Sequence, residues 1–85
     1  MILITEAQSS AIITPELAFD AVREAFIAAV APGAASFPVV VAHGSDPQNR
    51  FTIKSASGAE LAGLKVGAYF PTNDVRDLPR HASTI

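Results

Sequence analysis

Between Glu16 and Ala31 the apolar positions recur at about 3.6 residues, and in two later segments they alternate strictly. In the first stretch Ala18, Val22, Ala25, Phe26 and Ala29 share one face, and Asp20, Arg23 and Glu24 make a wetter side. This spacing predicts an amphipathic helix. Thr14-Pro15-Glu16 opens it with a capping threonine and a proline at the first helical position. Pro32-Gly33 closes it. Thr5-Glu6-Ala7-Gln8 fits a capping box and predicts a shorter helix reaching Ile12. Ahead of it, Ile2-Leu3-Ile4 predicts a brief strand.

The second half carries the alternating pattern. Phe37-Pro38-Val39-Val40-Val41-Ala42 predicts a strand whose proline lies near its start, where it is tolerated. Gly44 to Asn49 is a polar turn, and Phe51-Thr52-Ile53-Lys54-Ser55 predicts a half-buried strand. The chain turns again at Ser57-Gly58-Ala59-Glu60 and predicts a strand from Leu64 to Phe70. Pro71-Thr72-Asn73-Asp74 ends that strand, a polar loop leads to Leu78-Pro79, and His81 to Ile85 starts another extended segment. The layout predicts an α+β domain, with N-terminal helices packed on one side of a mixed or antiparallel sheet.

Composition narrows the class. With 85 residues, one small domain is the ceiling, and such a domain is marginal without help. There is no cysteine to staple it. Hydrophobic residues make up 49% and charged ones 16%, which is apolar for a small domain and implies a surface covered by another subunit or by a missing remainder. The net charge of -2 and the absence of a basic stripe argue against nucleic acid as partner. No apolar run approaches a bilayer span, and Met1-Ile2-Leu3-Ile4-Thr5-Glu6 lacks the features of a signal peptide, so the expected compartment is the cytoplasm. His43 and His81 make no metal cluster, and Gly33, Gly44, Gly58, Gly63 and Gly67 make neither G-x-G-x-x-G nor a Walker loop.

The candidate chemistry lies on the Leu64–Phe70 strand. Alternate side chains share a face, so Leu64, Val66, Ala68 and Phe70 point one way and Lys65, Gly67 and Tyr69 the other. Gly67 leaves room beside the Lys65 ammonium. Lys54, with Thr52 beside it, repeats the arrangement on the preceding strand. A cationic face that holds a carboxylate is one reading. Pattern alone favours the other, a solvated sheet face, because exposed strand lysines are common and protect sheet edges. His81 suits proton transfer near neutrality, but a single histidine at a loop-strand junction is more often only exposed or hydrogen-bonded; the same holds for His43. Arg50 opens a strand, either as a bidentate carboxylate clamp or as a surface residue.

The run Gly63-Leu64-Lys65-Val66-Gly67-Ala68-Tyr69-Phe70-Pro71-Thr72-Asn73, followed by Leu78-Pro79-Arg80-His81, resembles the ornithine cyclodeaminase/mu-crystallin family. The family pattern there is a Gly-x-Lys strand, a Pro-x-Asn turn and a Leu-Pro-x-His lead into the next strand. The opening strand with Thr5-Glu6-Ala7, and the helix containing Ala21-Val22-Arg23-Glu24-Ala25-Phe26, match as well. Gly44 to Phe51, with Lys54-Ser55, looks like the branch of ornithine cyclodeaminases and pyrroline-2-carboxylate reductases. The resemblance covers essentially all 85 residues.

The resemblance implies that residues 1–85 correspond to the N-terminal part of a substrate-binding and dimerisation domain, without the Rossmann NAD(P) domain of the longer family members. It implies an NAD(P)-dependent enzyme acting on a small amino or imino acid in proline or ornithine metabolism, and a dimer. The 85-residue chain alone is expected to be inactive and to bind no cofactor. A non-catalytic dimerisation or binding module that keeps the fold is the alternative. Carried over by position, Lys65 is the catalytic residue that contacts the substrate carboxylate and helps polarise the reacting carbon-nitrogen centre. Asn73 belongs to the turn that shapes the site, and His81 through Thr84 to the segment running past substrate and nicotinamide. The family commonly has an arginine two positions after a proline in the preceding strand. Here Pro38 is followed by Val39 and Val40, which leaves Arg50 or Lys54 to substitute and favours a cyclic imino acid such as pyrroline-2-carboxylate over ornithine.

Overall fold

The computed structural model describes all 85 residues, Met1–Ile85, as an α+β chain of two compact units, Met1–Ala31 and Pro32–Ile85.

The first unit is helical. Helix α1, Glu6–Ile12, starts at a complete capping box: the Thr5 hydroxyl accepts from the Gln8 amide at 3.2 Å, and the Gln8 side chain accepts from the Thr5 amide at 2.8 Å. Two otherwise orphaned donors are thereby satisfied. Helix α2, Pro15–Ala29, is capped by Thr14, whose hydroxyl accepts from the Leu17 amide at 3.1 Å. Its termination falls two residues before the predicted Ala31, at a Val30 cap. Gly33 then turns the chain with φ 84°, a conformation that excludes most side chains. Ile2-Leu3-Ile4 is not a strand. A strand needs a hydrogen-bonding neighbour, and every ladder of this protein joins residues between Ala35 and Thr84. No residue of this unit is buried.

The second unit is a five-stranded sheet, antiparallel at every pairing. Strand β3, Arg50–Ser57, pairs on one side with both β1, Ala35–Ser36, and β2, Val40–His43. On its other side it pairs with β4, Ala62–Tyr69, which pairs in turn with β5, His81–Thr84. Of the predicted strand from Phe37 to Ala42, only Val40 to Ala42 falls in a strand, and a separate short strand precedes it at Ala35–Ser36. Ser36 stands opposite Ala56 and Val40 opposite Ile53, so the edge gains one residue over its partner between these pairs. Phe37 still donates to the Ser55 carbonyl at 3.0 Å, which places the extra residue at Pro38-Val39. Proline has no amide to give a ladder, and a bulge on an edge is where it fits.

Short local closures fix the hairpins. Gly44 donates to the Asn49 carbonyl at 3.0 Å, and Asp46 accepts from the Gln48 amide at 2.9 Å inside that turn. Gly58 donates to the Leu61 carbonyl at 2.7 Å. Between β4 and β5, Pro71–Arg76 forms a 3-10 helix where a turn and an irregular loop are predicted. It ends on Asp77 in the left-handed region, φ 53°, a conformation aspartate tolerates better than most residues.

Residues directly opposite in an antiparallel pair share a face. Val40, Ala42, Phe51, Ile53, Leu64, Val66, Ala68 and Ala82 therefore make one face, with Thr84 at its margin. Phe51 and Phe70 meet edge to face, with centroids 4.9 Å apart. This apolar face is not closed: Ile53 and Val66 each keep 39% exposure. The best-shielded stretch of the sheet unit runs from Gly67 to Asn73, where β4 enters the 3-10 helix, and it is half-buried.

Candidate functional site

The other sheet face carries the polar groups, and the register arranges them in rows. Lys54 stands opposite Lys65. In the next row Val41, Thr52, Gly67 and Ser83 lie side by side across β2, β3, β4 and β5. In the third, His43, Arg50, Tyr69 and His81 do the same.

Charge on the sheet is one-sided. The strands contain three residues with a fixed charge, Arg50, Lys54 and Lys65; all are cationic, and all share this face. No Asp or Glu lies in any strand. Like charges directly opposite one another destabilise a sheet. A face that keeps three cations without a carboxylate is suited to an external anion.

The third row is held by aromatic contacts. The Arg50 guanidinium carbon is 5.2 Å from the centre of the Tyr69 ring, within cation-π range. His81 packs on Tyr69 from the other neighbouring strand, with ring centres 4.7 Å apart and planes inclined by 38°. Tyr69 thus has a guanidinium on one flank and an imidazole on the other. His43 is engaged within its own turn, its Nδ1 3.1 Å from the Pro47 carbonyl oxygen.

The predicted site residues separate into two groups. Lys65, Lys54, Arg50 and His81 come together on the polar face. Thr84 stands opposite Val66 and so lies on the apolar face. Asn73 lies in the 3-10 helix, where its carboxamide donates to the Pro79 carbonyl at 3.0 Å and its own carbonyl accepts from the Leu78 amide at 3.2 Å. It shapes the link between β4 and β5. Nearby, the Thr72 hydroxyl sits 2.6 Å from Nδ2 and 2.8 Å from Oδ1 of Asn49, tying the β2–β3 turn to the start of the 3-10 helix. Ser83, inside the His81–Thr84 segment that the resemblance places past the substrate, lies on the same face by the alternation from His81 along β5.

A second ionic feature supports the link. The Arg80 guanidinium donates through Nε, at 2.6 Å, and through Nη2 to the Asp74 carboxylate. This hydrogen bond, aided by the guanidinium charge, holds the Asp74 carboxyl below its ordinary value and raises Arg80 above its own. Both side chains are about half exposed, so the pair steadies a surface loop.

The residues present do not fit a dinucleotide pyrophosphate. Such a group is held at a helix N-terminus behind a glycine-rich loop. Neither helix follows such a loop, and both have an acidic residue, Glu6 or Glu16, in the first turn. The groove along the start of α2, lined by Pro15, Glu16, Phe19 and Asp20, presents two carboxylates and no cation. No group of His, Cys, Asp and Glu side chains could hold a metal ion. No helix is long and apolar enough to cross a membrane.

The chain is 33% identical over 88 aligned residues to the iminosuccinate reductase of Paracoccus denitrificans (strain Pd 1222). The match takes in the whole chain and spans 27% of that protein's length. No family model matches, and no solved structure matches. The similarity agrees with the resemblance to the ornithine cyclodeaminase/mu-crystallin family read from Gly63–Asn73 and Leu78–His81, and the chain spans about a quarter of the length of the reductase it matches.

Proposed function

We propose that this chain supplies the substrate-carboxylate site of an NAD(P)-dependent imino-acid reductase, and that the substrate is a small imino acid with two carboxylates. The observation that carries the reading is the placement of Lys54 opposite Lys65, with Arg50 on the same face and no strand carboxylate to neutralise them. One carboxylate compensates one cation. A cyclic monocarboxylate such as pyrroline-2-carboxylate leaves the Lys54–Lys65 repulsion largely in place. A dicarboxylate compensates both lysines, or one lysine and Arg50. The name of the Paracoccus relative, an iminosuccinate reductase, supports the same substrate class.

The reaction on this reading is reduction of the carbon-nitrogen double bond to an amine, with NAD(P)H as the hydride source in the whole protein. The residues of this chain bind and orient. Lys65 holds a carboxylate next to the reacting carbon, and by neutralising that group it leaves the carbon more open to hydride. Arg50, backed by the Tyr69 ring, offers a planar fork for a carboxylate. His81, packed beside Tyr69 on the same face, lies in the row that borders the substrate.

The test is an assay of the whole protein with NADH or NADPH. One imino acid is formed in place from oxaloacetate and ammonia, and the other is pyrroline-2-carboxylate. Faster cofactor oxidation with the dicarboxylic imino acid is expected. Equal or faster oxidation with pyrroline-2-carboxylate overturns the substrate class. No oxidation with either returns the chain to a binding module.

A further inference from the structure

Gly67 occupies the centre of the polar face. Lys65 and Tyr69 are its neighbours along β4, Thr52 stands opposite it on β3, and Ser83 stands opposite it on β5. The two hydroxyl-bearing residues therefore flank a position with no side chain, and cations lie in the rows on both sides.

The backbone does not call for glycine there. Gly33 is the glycine with positive φ, and Gly67 sits in regular strand. Glycine in a strand interior weakens the strand and marks a close approach by a ligand or another chain. A Cβ at this position would lie 3.1 Å from the Thr52 hydroxyl oxygen, so even a methyl group would crowd the notch. Gly63 shares the face but not the setting. It stands opposite Ala56, and β5 does not reach it, since the β4–β5 ladder begins at Val66.

We infer that Gly67 is the floor of one carboxylate subsite, with the Thr52 and Ser83 hydroxyls as its two walls. The inference rests on the carboxylate-binding reading of this face and adds residues that reading does not assign. Neighbouring strands are about 4.8 Å apart, so the β3 and β5 backbones stand roughly 10 Å apart across Gly67, and the Thr52 hydroxyl leans over the glycine, within reach of a carboxylate oxygen resting there. Lys65 lies about 7 Å along the strand, within reach of its own long side chain, and supplies the charge. The hydroxyls donate and fix the orientation of the carboxylate plane, and the absent Cβ lets the group rest on the strand.

The test uses the whole protein and succinate, a stable dicarboxylate of the proposed class. Amide signals are followed during titration of wild type, Gly67→Ala, Thr52→Val, Thr52→Ser, Ser83→Ala and Lys65→Ala. Succinate is expected to move the Thr52, Gly67 and Ser83 amides in wild type. Thr52→Val and Ser83→Ala, which remove only a hydroxyl, are each expected to weaken binding roughly tenfold, and Thr52→Ser to restore it. Gly67→Ala is expected to weaken binding at least as much with the pattern of folded amide signals retained. If these variants bind like wild type and Lys65→Ala does not, the subsite is overturned and the cationic face stands. If wild type does not bind succinate at all, the carboxylate reading falls, and the subsite with it.

Discussion

Lys54 and Lys65 stand directly opposite one another on β3 and β4, on the face that also carries Arg50. Directly opposed like charges oppose pairing, and a protein that only needed a wet sheet face could place an acid at either position. Removing one of the two charges should strengthen the sheet while weakening anion binding. Lys65→Met is expected to raise the urea stability of the chain by about 0.2–1 kcal/mol at low salt, with the gain shrinking at high salt as screening takes over. Urea titrations of both proteins at two salt concentrations check this. A loss of stability in the variant would mean that the lysine stem or its charge has a structural partner.

The bulge at Pro38-Val39 protects the β1–β2 edge. The edge strand is broken there, and Pro38 offers no amide to an incoming strand. Pro38→Val restores a donor within an apolar stretch of high strand propensity. The variant is expected to self-associate at concentrations where wild type does not, which sedimentation velocity reads directly. Identical sedimentation of the two proteins would show that the edge is protected in another way.

Asp74 and Arg80 set an acid limit on the β4–β5 link. The Arg80 hydrogen bond lowers the Asp74 pKa in the folded chain from an ordinary value of 3.8. The unfolded chain therefore binds this proton more readily. The pair's contribution to stability is fully present above the ordinary value and is lost as pH falls through the lowered one. Arg80, held above its ordinary value by the same carboxylate, keeps its contribution until strongly alkaline pH. Asp74→Asn is expected to flatten the fall in stability below about pH 4. Chemical unfolding at a series of acid pH values tests this, and an unchanged slope in the variant would remove the pair from the acid response.

Asn73 fixes the same link by a bond that carries no charge. Its carboxamide donates to the Pro79 carbonyl, two residues before β5 begins. Asn73→Ala should cost about 0.5–1.5 kcal/mol. It should also speed hydrogen exchange at the β4–β5 ladder more than at the β3–β4 ladder. Equal acceleration in both ladders would show that Asn73 acts on the sheet as a whole.

The parts legible in the sequence are those governed by neighbours along the chain. The Thr5/Gln8 capping box and the Thr14-Pro15 helix start are satisfied within three residues, so both can be read and placed. The alternation that puts Lys65, Gly67 and Tyr69 on one face of β4 is equally local. Pairing across strands is not. Nothing near Lys65 announces that Lys54 stands opposite it, or that Ser83 faces Gly67. Thr84 groups with His81 by position along the chain, but register puts the two on opposite faces. Ile2-Leu3-Ile4 has strand composition without a strand to pair with. Pro38 reads as the start of one strand and instead divides two, because a one-residue register slip leaves no mark in composition.

If the cationic sheet face holds the carboxylates of a small imino acid during its reduction, with Lys65 next to the reacting carbon, turnover must depend on that lysine. The most direct measurement is kcat/KM of the whole protein for the imino acid formed from oxaloacetate and ammonia, compared between wild type and Lys65→Ala. Loss of a charged hydrogen bond to substrate predicts a fall of roughly 10- to 100-fold. Unchanged kcat/KM in a folded Lys65→Ala protein would contradict this role for the face.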